Sequence, residues 1–226
     1  MSILILKIIA IISILLDNIG KIFVQEQVSI ERVILMLLGS IALPMIIFIL
    51  LEGYHETKDK NNFIKNLAIF AFVSEIPYDL AFQGVILEFG NQNLLFTLLL
   101  SILCIRAIDE IGEKYKGKMI NINILNGLVT LAFCFIAAIF GTEMGYVGVL
   151  LVVAFHLFRG NKALILVSIL IVLGYLIGDV IYGLFASLSM AFIWPYKGKK
   201  GKNVEHLFSI FYPVHLLILF IIKTFL

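Results

Sequence analysis

The chain has 226 residues, 62% hydrophobic and 14% charged, with a mean hydropathy of +1.09 and a formal net charge of +2. No water-soluble domain of this length covers its surface with so few polar groups, so soluble enzyme classes are excluded and a polytopic membrane protein is expected. The small charge, scattered over short loops, gives no basis for nucleic-acid binding, and Cys104 and Cys134, in apolar runs without CxxC spacing, read as small buried hydrophobes.

Repeated apolar runs of about 15–20 residues suit helices that cross a ~30 Å hydrocarbon core, whereas an outer-membrane barrel would show short alternating segments. The expected fold is therefore all-α, a polytopic transmembrane helix bundle forming a single domain over 1–226. In chain order, about nine spans are predicted, at 3–20, 33–52, 62–83, 93–111, 120–140, 146–158, 163–177, 179–194 and 207–225. The first lacks a basic start and an Ala-x-Ala-like exit, so it reads as a retained helix rather than a signal peptide. The sixth to eighth are short, and Gly174 and Gly178 blur the boundary of the seventh and eighth, which leaves a re-entrant pair as the alternative. Loops 53–66, 106–118, 159–162 and 195–206 hold 13 of the 17 Lys and Arg residues, while 84–92 and 140–145 hold none. The positive-inside rule then puts the N-terminus in the cytoplasm and the C-terminus outside.

Acidic and histidine side chains interrupt this hydrophobicity at a few places, and each charge in a bilayer costs at least ~3 kcal/mol on insertion scales. Asp17 and Asn18 end the first span, as a polar cap or with Asp17 orienting a functional neighbour. Glu52 and His55 are three apart near the inner boundary, a spacing that suits an acid-oriented histidine base as well as an interfacial belt. Glu75 and Asp79 are four apart, so both carboxylates share one helical face, and Pro77 between them is expected to bend the helix towards a polar cavity. An interhelical clamp is the plainer use of the same pair. Asn93, Thr97, Glu143 and Tyr146 join Asp17 and Asp79 in an outer polar layer. His156 has no acid nearby in sequence and reads as packing. Pro213 suits a first helical turn, which places Tyr212 and His215 in an inner layer with Glu52, His55 and His206. The histidines have no zinc-site spacing, so no metal is expected. GxSxG, Walker, HExxH and dinucleotide motifs are all absent from the sequence.

As a set, several segments resemble the TraX family of membrane proteins linked to conjugal pilus assembly. They are Leu6-Lys7-Ile8-Ile9-Ala10 leading to Leu16-Asp17-Asn18-Ile19-Gly20; Pro44 leading to Leu51-Glu52-Gly53-Tyr54-His55-Glu56-Thr57; Ser74-Glu75-Ile76-Pro77-Tyr78-Asp79; Asn93-Leu94-Leu95-Phe96-Thr97-Leu98-Leu99; Tyr146-Val147-Gly148-Val149-Leu150; Tyr196 with Gly198-Lys199-Lys200-Gly201; and Phe211-Tyr212-Pro213-Val214-His215. The resemblance implies a multi-pass protein of the bacterial cytoplasmic membrane that moves an acetyl group from acetyl-CoA to an amine or hydroxyl of a peptide, glycan or lipid in or at the bilayer. On that footing the candidate catalytic residues are His55, Glu75, Asp79, Asp17 and Asn18. Those expected to bind the coenzyme are Glu52, Tyr212, His215, Lys199 and Lys200. One departure stands out: the family has Asp-His where this chain has Asp17-Asn18, and an asparagine cannot shuttle a proton. A proton-coupled or small-solute transporter and a scaffold of a pilus complex are the rival readings, and oligomeric state stays open.

Overall fold

The computed structural model describes residues 1–24, 29–117, 121–198 and 207–226. It is 80% helical, and no strand occurs among the described residues, in keeping with the expected class. Among the described residues four stretches, Ile3–Phe23, Ile30–Glu56, Ile122–Ile139 and Phe208–Phe225, are long and apolar enough to cross a membrane.

The helices follow the predicted segments in order. α1 runs Ile3–Phe23, α2 Ile30–Gly39, α3 Ala42–Glu56, α4 Lys60–Phe82, α5 Leu94–Lys114, α6 Ile122–Ile139 and α7 Gly145–Leu157. α8, Lys162–Ile169, continues as a π-helical stretch, Leu170–Leu176, and α9, Val180–Ser187, is followed by α10, Ser189–Ile193, and α11, Leu207–Phe225. The second predicted span is thus α2 and α3 with a break at Ser40 and Ile41, and the eighth is α9 and α10. Caps explain several starts: Asp59, Asn93, Asn121, Asn161 and Asp179 each accept a backbone N–H in the first turn of the following helix.

Two faces emerge from contacts between the connections. On one, the N-terminal ammonium of Met1 donates to Pro195 O (3.1 Å), Lys162 donates to the carbonyls of Trp194 and Tyr196 (2.6 and 3.1 Å), and Arg159 pairs with Glu52 (3.1 Å). On the other, Gln92 N donates to Gly141 O and Glu143 N to Gln92 O, Lys21 reaches Glu143, and Lys223 donates to Ala81 O. Lys162 and Arg159 thus lie on the first face, and Glu143 lies on the second with Lys21 and Lys223. Gly141 makes the second junction possible: its φ is +58°, and a Cβ there would run into Gly90 O.

The sequence motif Glu75-Ile76-Pro77-Tyr78-Asp79 lies inside the continuous α4. Glu75 accepts from the backbone N–H and side-chain amide of Asn93, and Asp79 Oδ2 accepts from Glu88 N at 2.8 Å. The Asp79 carbonyl also receives Gln83 N and Gly84 N. Both acids therefore fasten the 83–93 connection to α4 and set where α5 begins. A hydrogen bond to a buried carboxylate contributes about 1.5–3 kcal/mol, and Asp79 is fully buried. Asp79→Ala is accordingly expected to lose about that much stability, read as a lowered thermal unfolding midpoint in detergent. An unchanged midpoint would refute the anchoring role.

Candidate functional site

The site consists of two cavities, and four helices, α1, α3, α5 and α11, contribute to both. The larger, about 370 Å³, is lined by Ile3 and Lys7 of α1, Glu52 and Glu56 of α3, Asn62 and Asn66 of α4, Leu95 and Leu98 of α5, and Phe208 and Ser209 of α11, with Tyr196 at its edge. These residues place it at the lysine-rich face. The smaller chamber, about 20 Å³ and so roughly the room one water needs, is lined by Asp17, Asn18 and Lys21 of α1, Glu143, Tyr182 and Tyr212 among others.

The register of α1 explains this chamber. Ile14, Asp17, Asn18 and Lys21 recur at the i, i+3, i+4, i+7 spacing of one helical face. Because α1 continues to Phe23, Asp17 and Asn18 lie within the helix and not at its exit as expected from the sequence. The Gly39 backbone packs on Asp17 so closely that any Cβ would collide with it, which lets α2 close over the acid. Lys21 Nζ then sits 2.7 Å from Asp17 and 3.1 Å from Glu143, joining a carboxylate of α1 to one of the connection between α6 and α7 with one cation.

Asn18 is 3% exposed, and its amide nitrogen lies 2.8 Å from Nε2 of His215. His215 Nδ1 is 3.0 Å from the Phe211 carbonyl, a partner that only accepts. The ring is therefore fixed with its proton on Nδ1, and Nε2 accepts one N–H of Asn18, leaving the second N–H of that amide for the chamber. Tyr212, 1% exposed, accepts the Leu94 N–H at 3.3 Å, so its own O–H is available as a donor. This corrects the inner-layer assignment of Tyr212 and His215. α11 begins at Leu207, so Pro213 is inside the helix rather than in its first turn, and both side chains lie a turn or more deeper, level with Asn18.

The other sequence candidates lie elsewhere. His55 does not pair with Glu52; its Nε2 meets Nδ1 of His156 at 3.2 Å with the rings stacked, and His156 reaches Asp109 at 3.3 Å. Glu52 instead turns into the larger cavity and pairs with Arg159. The reason is that the two side chains leave the last turns of α3 in different directions, one towards α7 and one towards α1 and Tyr196. His156, read from sequence as packing, gains its acid from α5, a partner 47 residues away that spacing could not reveal. Glu75 and Asp79 line neither cavity, being occupied by the 83–93 connection. Lys199, Lys200 and His206 lie outside the described residues. Lys21, Glu143 and Tyr182 were absent from the candidate catalytic set. Only the i+4 spacing of Lys21 from Asp17 hinted at the first of them.

Among the described residues no group of three or more His, Cys, Asp or Glu side chains is placed to hold a metal ion. For a thioester donor the larger cavity does fit. Its volume is at the low end of the ~300–1,000 Å³ typical of ligand sites, enough for a pantetheine arm with the nucleotide outside. Asn62, Asn66, Thr57 and Ser209 offer partners to the arm's amides, and Arg159 offsets the Glu52 charge that would repel a phosphate. Burial, with the Glu52 carboxylate beside it, pushes the Tyr196 phenol up to about 12, so it meets a ligand as a neutral hydroxyl.

A family model described as TraX protein matches residues 2–223. A curated relative from Dichelobacter nodosus, named "Probable fimbrial assembly protein FimC, serogroup H1", is 28% identical over 246 aligned positions, covering 98% of this chain and 95% of its own. No solved structure matches.

Proposed function

Because this chain belongs to the TraX family, whose members take part in pilus and conjugation assembly, we propose that it is an integral membrane acetyltransferase. It takes acetyl groups from acetyl-CoA at the cytoplasmic, lysine-rich face and delivers them to an amine or hydroxyl of a peptide, glycan or lipid at the membrane, with all nine helical segments spanning the bacterial inner membrane. The observation that carries this reading is the juxtaposition of two unlike cavities along the same four helices: a donor-sized cavity at one face, and beside it a chamber of convergent carboxylates and hydrogen-bond donors.

The division of labour follows from the chamber. Bound acetyl-CoA supplies an activated acetyl thioester. Asn62, Asn66 and Ser209 bind the arm, with Lys7 of the lining and Lys197, Lys199 and Lys200 of the connection that follows Tyr196 as candidate phosphate partners. Asp17 and Glu143, sharing the single charge of Lys21, retain a net negative charge that draws in a protonated amine; one of them takes the proton whose loss frees the nitrogen, or the hydroxyl oxygen, to attack, and the departing thiolate takes up the second proton of the amine or, for a hydroxyl, the proton held by that carboxyl. The Tyr212 O–H and the free Asn18 N–H meet the negative charge that develops on the acetyl oxygen as the new bond forms and the carbon–sulfur bond breaks. His215 is a positioning residue: it holds the Asn18 amide from behind and lines neither cavity. Glu75 and Asp79 position the α5 start, and with it the Leu94 N–H that orients Tyr212.

Labelled acetyl-CoA incubated with the purified protein and membrane fractions tests the proposal. A labelled acceptor is the expected result, and its appearance should be lost in the Asp17→Asn, Glu143→Gln double variant. Label that never leaves the coenzyme would overturn the enzyme reading. Uptake of a solute into proteoliposomes without coenzyme would favour a transporter instead.

A further inference from the structure

We infer that Ile46 fixes the length of the acyl group this protein transfers, by standing as the partition between the donor cavity and the chamber; the inference rests on the acetyl-transfer reading. Ile46 lines both spaces. It does so because one stripe of α3 runs along both: Ala42, Leu43 and Ile46 face the chamber, and Ile46, Ile49, Leu50 and Gly53 face the donor cavity. Those spacings of three and four keep to a single helical face, so the residue at the crossover has no neighbour on α3 that shares its position. Ile46 is 3% exposed, and its branched side chain is stiff at χ1, so it does not swing aside as a Leu or Met does.

An acyl group that passes from the donor cavity to the Tyr212 hydroxyl passes Ile46, which lines both spaces. The chamber beyond holds about 20 Å³, which leaves room for a methyl group but not for a propyl tail. Pocket walls of this kind discriminate single methylenes by roughly 10–200-fold. Ile46→Ala removes the branch and opens the two spaces to one another, while Ile46→Phe thickens the partition.

The full-length protein in lipid nanodiscs is assayed for thiol release from acetyl-, propionyl- and butyryl-CoA in the presence of membrane fractions. Binding is followed separately, as thermal stabilisation by dethia analogues of the same three esters. The wild-type chain is expected to favour acetyl over butyryl by at least tenfold, Ile46→Ala to bring the two within about threefold, and Ile46→Phe to bind the analogues weakly and release no thiol. If Ile46→Ala does not fold, Ile46→Val carries the same test, with propionyl-CoA as the ester gained. An unchanged acetyl-to-butyryl ratio in a folded variant that still uses acetyl-CoA overturns the role of Ile46 alone. A wild-type protein that neither binds nor cleaves any of the three esters overturns the acetyl-transfer reading, and this inference with it.

Discussion

Replacing Tyr212 with phenylalanine is expected to lower acetyl transfer by about 10²–10³-fold, the cost of removing one donor aimed at a developing negative charge. The phenol is the donor best prepared for this in the chamber. It is buried, held by a backbone N–H on its lone-pair side, and set in low-dielectric surroundings where a hydrogen bond to an anion is strongest. Its ring does not line the donor cavity, so the KM for acetyl-CoA should stay within a few-fold while kcat falls. Tyr212→Phe also leaves the Leu94 N–H without its partner, which costs about 1–3 kcal/mol of stability. Rates are therefore compared at a temperature where unfolding scans show both proteins folded. A folded variant with wild-type kcat would remove Tyr212 from the chemistry.

The second large effect is a gain. Asn18→His is expected to raise transfer by up to about 10²-fold, because it places an imidazole base where this chain has an amide that cannot accept a proton, a gain set against the loss of the Asn18 donor to the acetyl oxygen. The position suits it: the side chain already reaches the chamber on one side and His215 on the other. With His215 offering Nε2 as an acceptor, the new ring would donate to it and turn its other nitrogen to the acceptor substrate, as a base oriented from behind. The pH profile distinguishes this from a mere packing change. A histidine base works only when neutral, so activity of the variant should fall as pH drops through about 6.5, the ordinary imidazole value, with a limb that the parent protein lacks. His215→Ala in the same background should erase the gain by releasing the ring. If Asn18→His is folded and no faster than the parent, the proton is not handled at this position.

Much of the helical layout was legible in the sequence because it follows from a rule that acts locally. A backbone in hydrocarbon must satisfy its own polar groups, so long apolar runs become helices whatever surrounds them. The nine predicted segments accordingly fall on the helices, with Ser40 and Ile41 interrupting the second and Leu188 the eighth. At the level of faces, Met1 meets Pro195 on one side of the bundle and Lys223 meets Ala81 on the other. Spacing arguments for the site did less well. Glu75 and Asp79 do share a face of α4, yet that face meets the 83–93 connection and not a cavity. Glu52 and His55 have the separation of an acid–base pair, yet His55 meets His156 of α7 and Glu52 meets Arg159 in the turn that follows it.

What the sequence by itself determined is the class of protein, its helical segments and the identity of several residues in the chamber, Asp17, Asn18 and Tyr212 among them. All of these depend on composition, on a period of 3.6 residues or on the cost of charge in a bilayer, which are properties of single segments. Only the tertiary structure decided which segments supply one another's partners: Lys21 with Glu143, Asn18 with His215, His156 with Asp109, and Tyr212 with the start of α5. A buried polar group must be satisfied by whatever packs against it, and in a bundle that neighbour is a different helix, often more than a hundred residues away. The same packing brought α1, α3, α5 and α11 together along two cavities and left Ile46 between them, a position that no periodicity in α3 alone would single out.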